Sequence, residues 1–118
     1  MLHHGGRGMR RHNWYGRSGR GYVFDVFELG AALAETAGVY ILARLDGEDG
    51  YFDPLYVGEC ECLNARAGRG IDSHDRIDAA RHAGATHVHA LAVDGGAMTR
   101  RAIGLDLRNR LHPPCNRG

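Results

Sequence analysis

Lysine is absent from this chain, so all fifteen of its Lys/Arg positions are arginine. Arginine's planar fork suits phosphate, yet an all-arginine chain rich in Gly and Ala equally reflects a GC-rich coding sequence. Cysteine is scarce: Cys60, Cys62 and Cys115 form no CxxC pair, and an odd count of three argues against a disulfide framework. A zinc site drawn from Cys60, Cys62, His74 and His82 has poor spacing for tetrahedral ligation. No apolar run approaches membrane-spanning length and no charged-then-apolar leader opens the chain. A soluble, cytoplasmic protein is therefore expected. With 118 residues there is room for one domain with one modest core.

The formal charge of +1 conceals an asymmetry. Residues 1–24 carry five arginines and no acid, which leaves ten arginines against fourteen carboxylates beyond them. Residues 1–21 hold six glycines, with Trp14 and Tyr15 among the arginines, and no apolar period. This pattern predicts a flexible basic arm, with the folded domain spanning 22–118. Arginines beside aromatic rings are suited to a phosphate backbone and a stacked base; a leader without a role fits the composition equally well.

Alternation predicts a first strand over 22–27. An alanine-rich turn over 30–37 with capacity for a short helix leads into the segment Gly38 to Gly58. There Gly38-Val39-Tyr40-Ile41-Leu42-Ala43 and Leu55-Tyr56-Val57-Gly58 flank Asp46-Gly47-Glu48-Asp49-Gly50, whose Asp-Gly steps favour turns. The reading is a β-hairpin with Val39, Ile41 and Ala43 on one face, Tyr40 and Leu42 on the other. Helical composition over 60–70 is broken by Gly68 and Gly70. A second helix is expected from an N-cap at Asp72 or Ser73, through His74, Ile77 and Ala80, to Gly84. A strand follows over 86–93, in which His87 and His89 share a face. The last helix, from about Ala97 to Leu111, stops at Pro113-Pro114. The order β, ββ, α, α, β, α defines an α+β fold, a small and largely antiparallel central sheet flanked by helices.

Gly38-Val39-Tyr40 and Tyr56-Val57-Gly58, Arg66 eight residues after the second glycine, His74 beyond it, and Pro113-Pro114-Cys115-Asn116 at the end stand in one register. From Tyr22 to Asn116 the chain resembles the GIY-YIG nuclease family. The resemblance implies the same α+β fold and a divalent-metal-dependent endonuclease, using Mg2+ or Mn2+ and acting on nucleic acid, most simply double-stranded DNA, with no membrane and with a homodimer as one possible assembly. It implies that Tyr40 is the phenol nearest the attacking water. A free phenol has a pKa of about 10, so Tyr40 needs a neighbour for its proton, and His74 is the natural helper. Tyr56 would hold water or phosphate, and Arg66 would stabilise charge on phosphorus. Gly58, Arg69 and Asn116 complete the substrate side, Asn116 by tying the end of the last helix back to the site.

One position departs from the pattern. Where the family places the glutamate that holds its metal ion, this chain has Gly104, between well-matched Arg100-Arg101-Ala102-Ile103 and Leu105-Asp106-Leu107. Glycine in a helix interior costs about 1 kcal/mol relative to alanine. Three explanations stay open: a deliberately inactivated nuclease, a natural member that lost catalysis but kept binding, or a metal moved to another carboxylate. Asp106 lies about 200° round the helix and points away, whereas Glu59 is nearer. The expectation is thus an endonuclease impaired as written. The alternatives are a non-catalytic nucleic-acid-binding module using the basic arm, and a toxin-type domain held by a protein partner.

Overall fold

The computed structural model describes residues 10–117. It has five strands, β1 (Arg10–Tyr15), β2 (Gly21–Glu28), β3 (Gly38–Leu45), β4 (Phe52–Cys60) and β5 (His87–Ala92), and three α-helices, α1 (Leu63–Ala67), α2 (Ile77–His82) and α3 (Gly96–Leu111). The strands form one sheet in the order β1-β2-β5-β3-β4, and every pairing is antiparallel. The expected α+β class and helix-flanked antiparallel sheet are what the chain adopts. Among the described residues no helix is long and apolar enough to cross a membrane.

β3 is flanked by β4 and β5, and its first six residues are buried. Its alternation feeds two cores. Tyr40 and Leu42 join Val88 and Ala90 beneath Leu63, Ala67, Ile71, Ile77 and Ala80 of the α1–α2 side. Val39 and Ile41 join Phe24, Val57 and Leu107 of α3, closed by Trp14 and Tyr22. Helices therefore cover opposite faces, α1 and α2 on one, α3 on the other. β4 is an edge strand, which tolerates Pro54. A bulge between Leu42 and Ala43 interrupts the register.

Several local expectations change. Residues 10–21 are no arm: Arg10–Tyr15 pairs along its whole length with β2, and Trp14 is buried. Residues 1–9 of the expected arm lie outside the described residues. The strand escaped notice because its inward positions, His12 and Trp14, are separated by polar or charged residues. Residues 31–37 form no helix; the Asn64 side chain instead accepts the Leu33 N–H at 3.0 Å. His74 is not helical either, having extended backbone between a 3-10 turn (Ile71–Ser73) and α2.

The β1–β2 turn is bolted to α3 through Asp106. Its carboxylate accepts the Ser18 N–H at 2.9 Å, the Ser18 hydroxyl at 2.7 Å and the Tyr22 hydroxyl at 2.8 Å. These donors, the Ser18 hydroxyl foremost, hold Asp106 below the usual carboxylate range. Asp106 thus points away from β4, as its helical angle requires, and serves the fold.

His89 is wholly buried, and its Nδ1 accepts the Trp14 indole N–H at 2.8 Å. The ring proton therefore sits on Nε2, which has no hydrogen-bond partner. Burial, then the charges of His12, His87 and Arg10, lowers the His89 pKa from 6.5 to about 3. An imidazole with a depressed native pKa stabilises the fold fully above its unfolded value. That contribution declines as pH drops below 6.5 toward 3, because the unfolded chain takes up the proton first. Urea unfolding should accordingly show stability falling through this window, with a shallower fall in a His89→Leu variant. An equally steep fall in that variant would place the acid sensitivity elsewhere.

Candidate functional site

Tyr40 and Tyr56 lie on one face of the β3–β4 hairpin with ring centroids 6.1 Å apart. The chain leaves α1 through the Ile71–Ser73 turn and returns as extended backbone at His74, whose ring stands edge-on to both phenols, 5.7 Å from Tyr40 and 5.1 Å from Tyr56. Arg66, in the last turn of α1, is close enough for its charge to act on Tyr40. It also donates to Asp75 Oδ1 at 2.6 Å. Four of the residues expected to act together, Tyr40, Tyr56, Arg66 and His74, are thus neighbours.

Hydrogen-bond directions fix what they can do. The Arg76 backbone N–H donates to His74 Nδ1 at 2.9 Å, so that nitrogen carries no proton. Burial, reinforced by Arg66 and opposed by Asp75, lowers the His74 pKa from 6.5 to about 4. The ring is neutral at pH 7, with its proton on Nε2. Nε2 lies 2.6 Å from the Tyr40 hydroxyl, and so donates to it. This reverses the expected relation, because His74 in this state is no acceptor for the Tyr40 proton. The approach of Asp75 Oδ1 to Nδ1 at 3.5 Å is correspondingly no ion pair while the ring is neutral.

Tyr40 therefore receives the His74 donor at its oxygen and keeps its own proton for a ligand. Burial, then Tyr56, pushes its pKa well above the ordinary phenol value, and Arg66 only partly offsets this. Desolvation outweighs the nearby cation. Tyr40 is a neutral phenol, suited to donating to a phosphoryl oxygen.

Gly58 is required by this packing, since a Cβ there would collide with the Tyr40 hydroxyl and ring. Asn116 ties the end of the chain to β4. His112 adopts a left-handed conformation, φ 48°, that ends α3. The chain then turns through Pro113 and Pro114, and the Asn116 side chain clamps β4 at Val57, accepting its N–H at 2.8 Å and donating to its carbonyl at 2.9 Å. Arg69 is not assembled with the four; its side chain donates to the Gly30 carbonyl at 3.4 Å.

Gly104 lies across the sheet from the phenols, on the helix covering the other face. It shares a cavity of about 350 Å3 with Val57, Gly58, Glu59, Arg101, Leu105 and Arg108. Gly58 thus abuts Tyr40 on one side and this cavity on the other. A Cβ at Gly104 would meet nothing within 4 Å. The cavity residues do not suit Mg2+ or Mn2+. Position 104 offers no donor, and Glu59, the possible substitute, accepts from the largely buried Arg100 at 2.9 Å. Two more guanidiniums line the wall. No group of three or more His, Cys, Asp or Glu side chains is placed to hold a metal among the described residues, so Cys60, Cys62, His74 and His82 make no such cluster. The three cysteines are free thiols.

Sequence reasoning missed three contributors: Asp75 as the partner of Arg66, the Arg76 amide that orients His74, and the arginines beside Gly104. The last were accessible, since Arg101 and Arg108 stand three before and four after Gly104 and so share its helical face. No family model, curated protein or solved structure matches the chain.

Two measurements check this geometry. Nitrogen NMR should find His74 as the Nε2–H tautomer, neutral until the pH approaches about 4; a proton on Nδ1 would refute the assignment. Tyr40→Phe strands the His74 donor and should cost about 1–3 kcal/mol in urea unfolding, a loss a merely space-filling Tyr40 would not show.

Proposed function

We propose that this chain is a GIY-YIG-type endonuclease domain directed at phosphodiesters of double-stranded DNA, impaired as written because Gly104 stands where the metal-binding carboxylate belongs. The observation that carries the reading is the meeting of Tyr40, Tyr56, His74 and Arg66 on one face of the hairpin, with Gly58 clearing the space beside the Tyr40 hydroxyl. Tyr56, Arg66 and His74, which follow Tyr40 by 16, 26 and 34 positions, all come to its ring.

In this reading Arg66 and the Tyr40 hydroxyl hold non-bridging oxygens of a phosphate, and Tyr56 orients a second ligand by hydrogen bond. A guanidinium has five N–H donors, so the Asp75 pair leaves Arg66 donors for a ligand. His74 keeps Tyr40 oriented by donating to it. What is missing is relief of charge on the leaving oxygen; the resemblance gives that task to a carboxylate at 104, which reaches the phenols only round the β4 edge at Gly58.

A second reading, a nucleic-acid-binding module without catalysis, draws support from the same place. The cavity at Gly104 is lined by Arg101 and Arg108, neither paired with a described residue, and by a Glu59 already held by Arg100, which suits holding a phosphate better than breaking its ester. The basic segment does not serve this reading as a detachable arm, because removing residues 10–21 takes away β1 and the buried Trp14.

Position 104 separates the two readings. Gly104→Glu has room for its side chain and should gain Mg2+- or Mn2+-dependent nicking of plasmid DNA over the parent chain. Intact plasmid across several divalent ions would remove the enzymatic reading. Gly104→Ala should leave cleavage unchanged while stabilising the fold by roughly 0.5–1 kcal/mol, since it fills open space in a helix interior; destabilisation would mean the open space is not there.

A further inference from the structure

We infer that the cavity beside Gly104 is an anion site that takes a phosphate group, not a divalent cation. The inference concerns binding alone and does not require that the chain cleave anything. Its walls are Val57, Gly58 and Glu59 of β4 and Arg101, Gly104, Leu105 and Arg108 of α3. Arg101, Gly104 and Arg108 follow one another at three and four residues, so the two guanidiniums rise on either side of the glycine along one stripe of the helix.

Charge decides the sign of the ligand. Glu59 is the cavity's carboxylate, and Arg100, whose side chain is 8% exposed, holds it at 2.9 Å. A carboxylate neutralised in this way does not repel an incoming anion. Arg101 and Arg108 have no hydrogen bond or ion pair to any described residue. The cavity of about 350 Å3 is thus lined by two guanidiniums, Arg101 and Arg108, and by one carboxylate, Glu59, whose charge Arg100 already offsets from outside the lining. A divalent cation entering there would meet the two guanidiniums with no unengaged carboxylate to bind.

Shape agrees with charge. The missing side chain at Gly104 leaves a floor with nothing within 4 Å of a Cβ, so a tetrahedral oxyanion can sit down on the helix between the two arginine stems. Arginine pairs bind phosphate oxygens through parallel N–H bonds that lysine cannot duplicate. A glutamate at 104 would occupy this floor and cancel one of the charges.

The source of the phosphate is either the free ion or the backbone of a nucleic acid strand, and two arms of one experiment separate them. In the first, inorganic phosphate is titrated into the 15N-labelled full chain at constant ionic strength with chloride as the balancing ion. Saturable shifts are expected at the Gly58 and Gly104 amides and at the Arg101 and Arg108 Nε–H groups. They should vanish in the Arg101→Gln/Arg108→Gln double variant and in Gly104→Glu, and persist in Arg11→Gln, a distant exposed control. In the second arm, binding of a short DNA duplex is followed against salt. If the strand is the source, the double variant should lower the log–log slope by about two, one for each lost phosphate contact. Phosphate shifts with an unchanged duplex slope assign the site to the free ion. No saturable shift with phosphate together with an unchanged duplex slope overturns the inference, as does a saturable response of Gly104 to Mg2+ or Mn2+ in the parent chain. Gly104→Glu failing to cut DNA would count against the nuclease reading and leave these binding outcomes untouched.

Discussion

A buried imidazole has one proton to offer at neutral pH, and in this fold the Arg76 amide decides which nitrogen carries it. By donating to His74 Nδ1, that N–H forces the ring proton onto Nε2 and toward the Tyr40 hydroxyl. The chemistry available at the hairpin follows from this single bond. Tyr40 becomes the acceptor within the pair, retains its own proton, and stays a phenol under the desolvation that dominates its environment. Arg66 stabilises the same oxygen but divides its charge with Asp75. Burial first, and Tyr56 after it, keep Tyr40 protonated, so the cluster presents hydrogen-bond donors and no strong base.

The hairpin that carries the phenols was legible because two independent signals coincide in it. β3 must alternate to feed cores on both faces, and the Asp-Gly steps fix where it reverses. The opposite case is β1. Its inward residues are His12 and Trp14, its neighbours are arginines, and glycines follow, so composition speaks for disorder. Yet the pairing with β2 supplies the hydrogen bonds, and the indole reaches His89 for a partner. A strand stabilised by its neighbour leaves only a weak trace in local pattern. His74 failed for a related reason. A helix through it looked continuous, but the Tyr40 hydroxyl needs the ring at a particular depth, and extended backbone places it there.

Helix α3 shows why a single residue carries such different weight on two sides of one helix. Asp106 faces the β1–β2 turn and accepts hydrogen bonds from Ser18 and Tyr22, so its charge is committed to architecture. Gly104 faces β4 and is committed to nothing. Reading the sequence found the glycine because a glutamate belongs there in the resemblance, but the flanking arginines drew no attention. Arginine on a helix reads as solvated surface until its neighbours are known. Only the pairing of Glu59 with Arg100 shows that the local carboxylate is already satisfied, and so that Arg101 and Arg108 have no acid to neutralise among the described residues.

Position 104 therefore separates folding from function on energetic grounds. An alanine there would fit, and would relieve the roughly 1 kcal/mol that glycine costs a helix interior, so packing does not require the vacancy. Had the residue been under steric pressure, like Gly58 against Tyr40, its identity would say nothing about ligands. Because it is not, the open floor and the two guanidiniums beside it bear on chemistry directly. A carboxylate at 104 would cancel one of the positive charges beside it. Glycine leaves both arginines facing whatever enters. Glycine in place of a carboxylate at this position thus changes the sign of charge that the cavity favours.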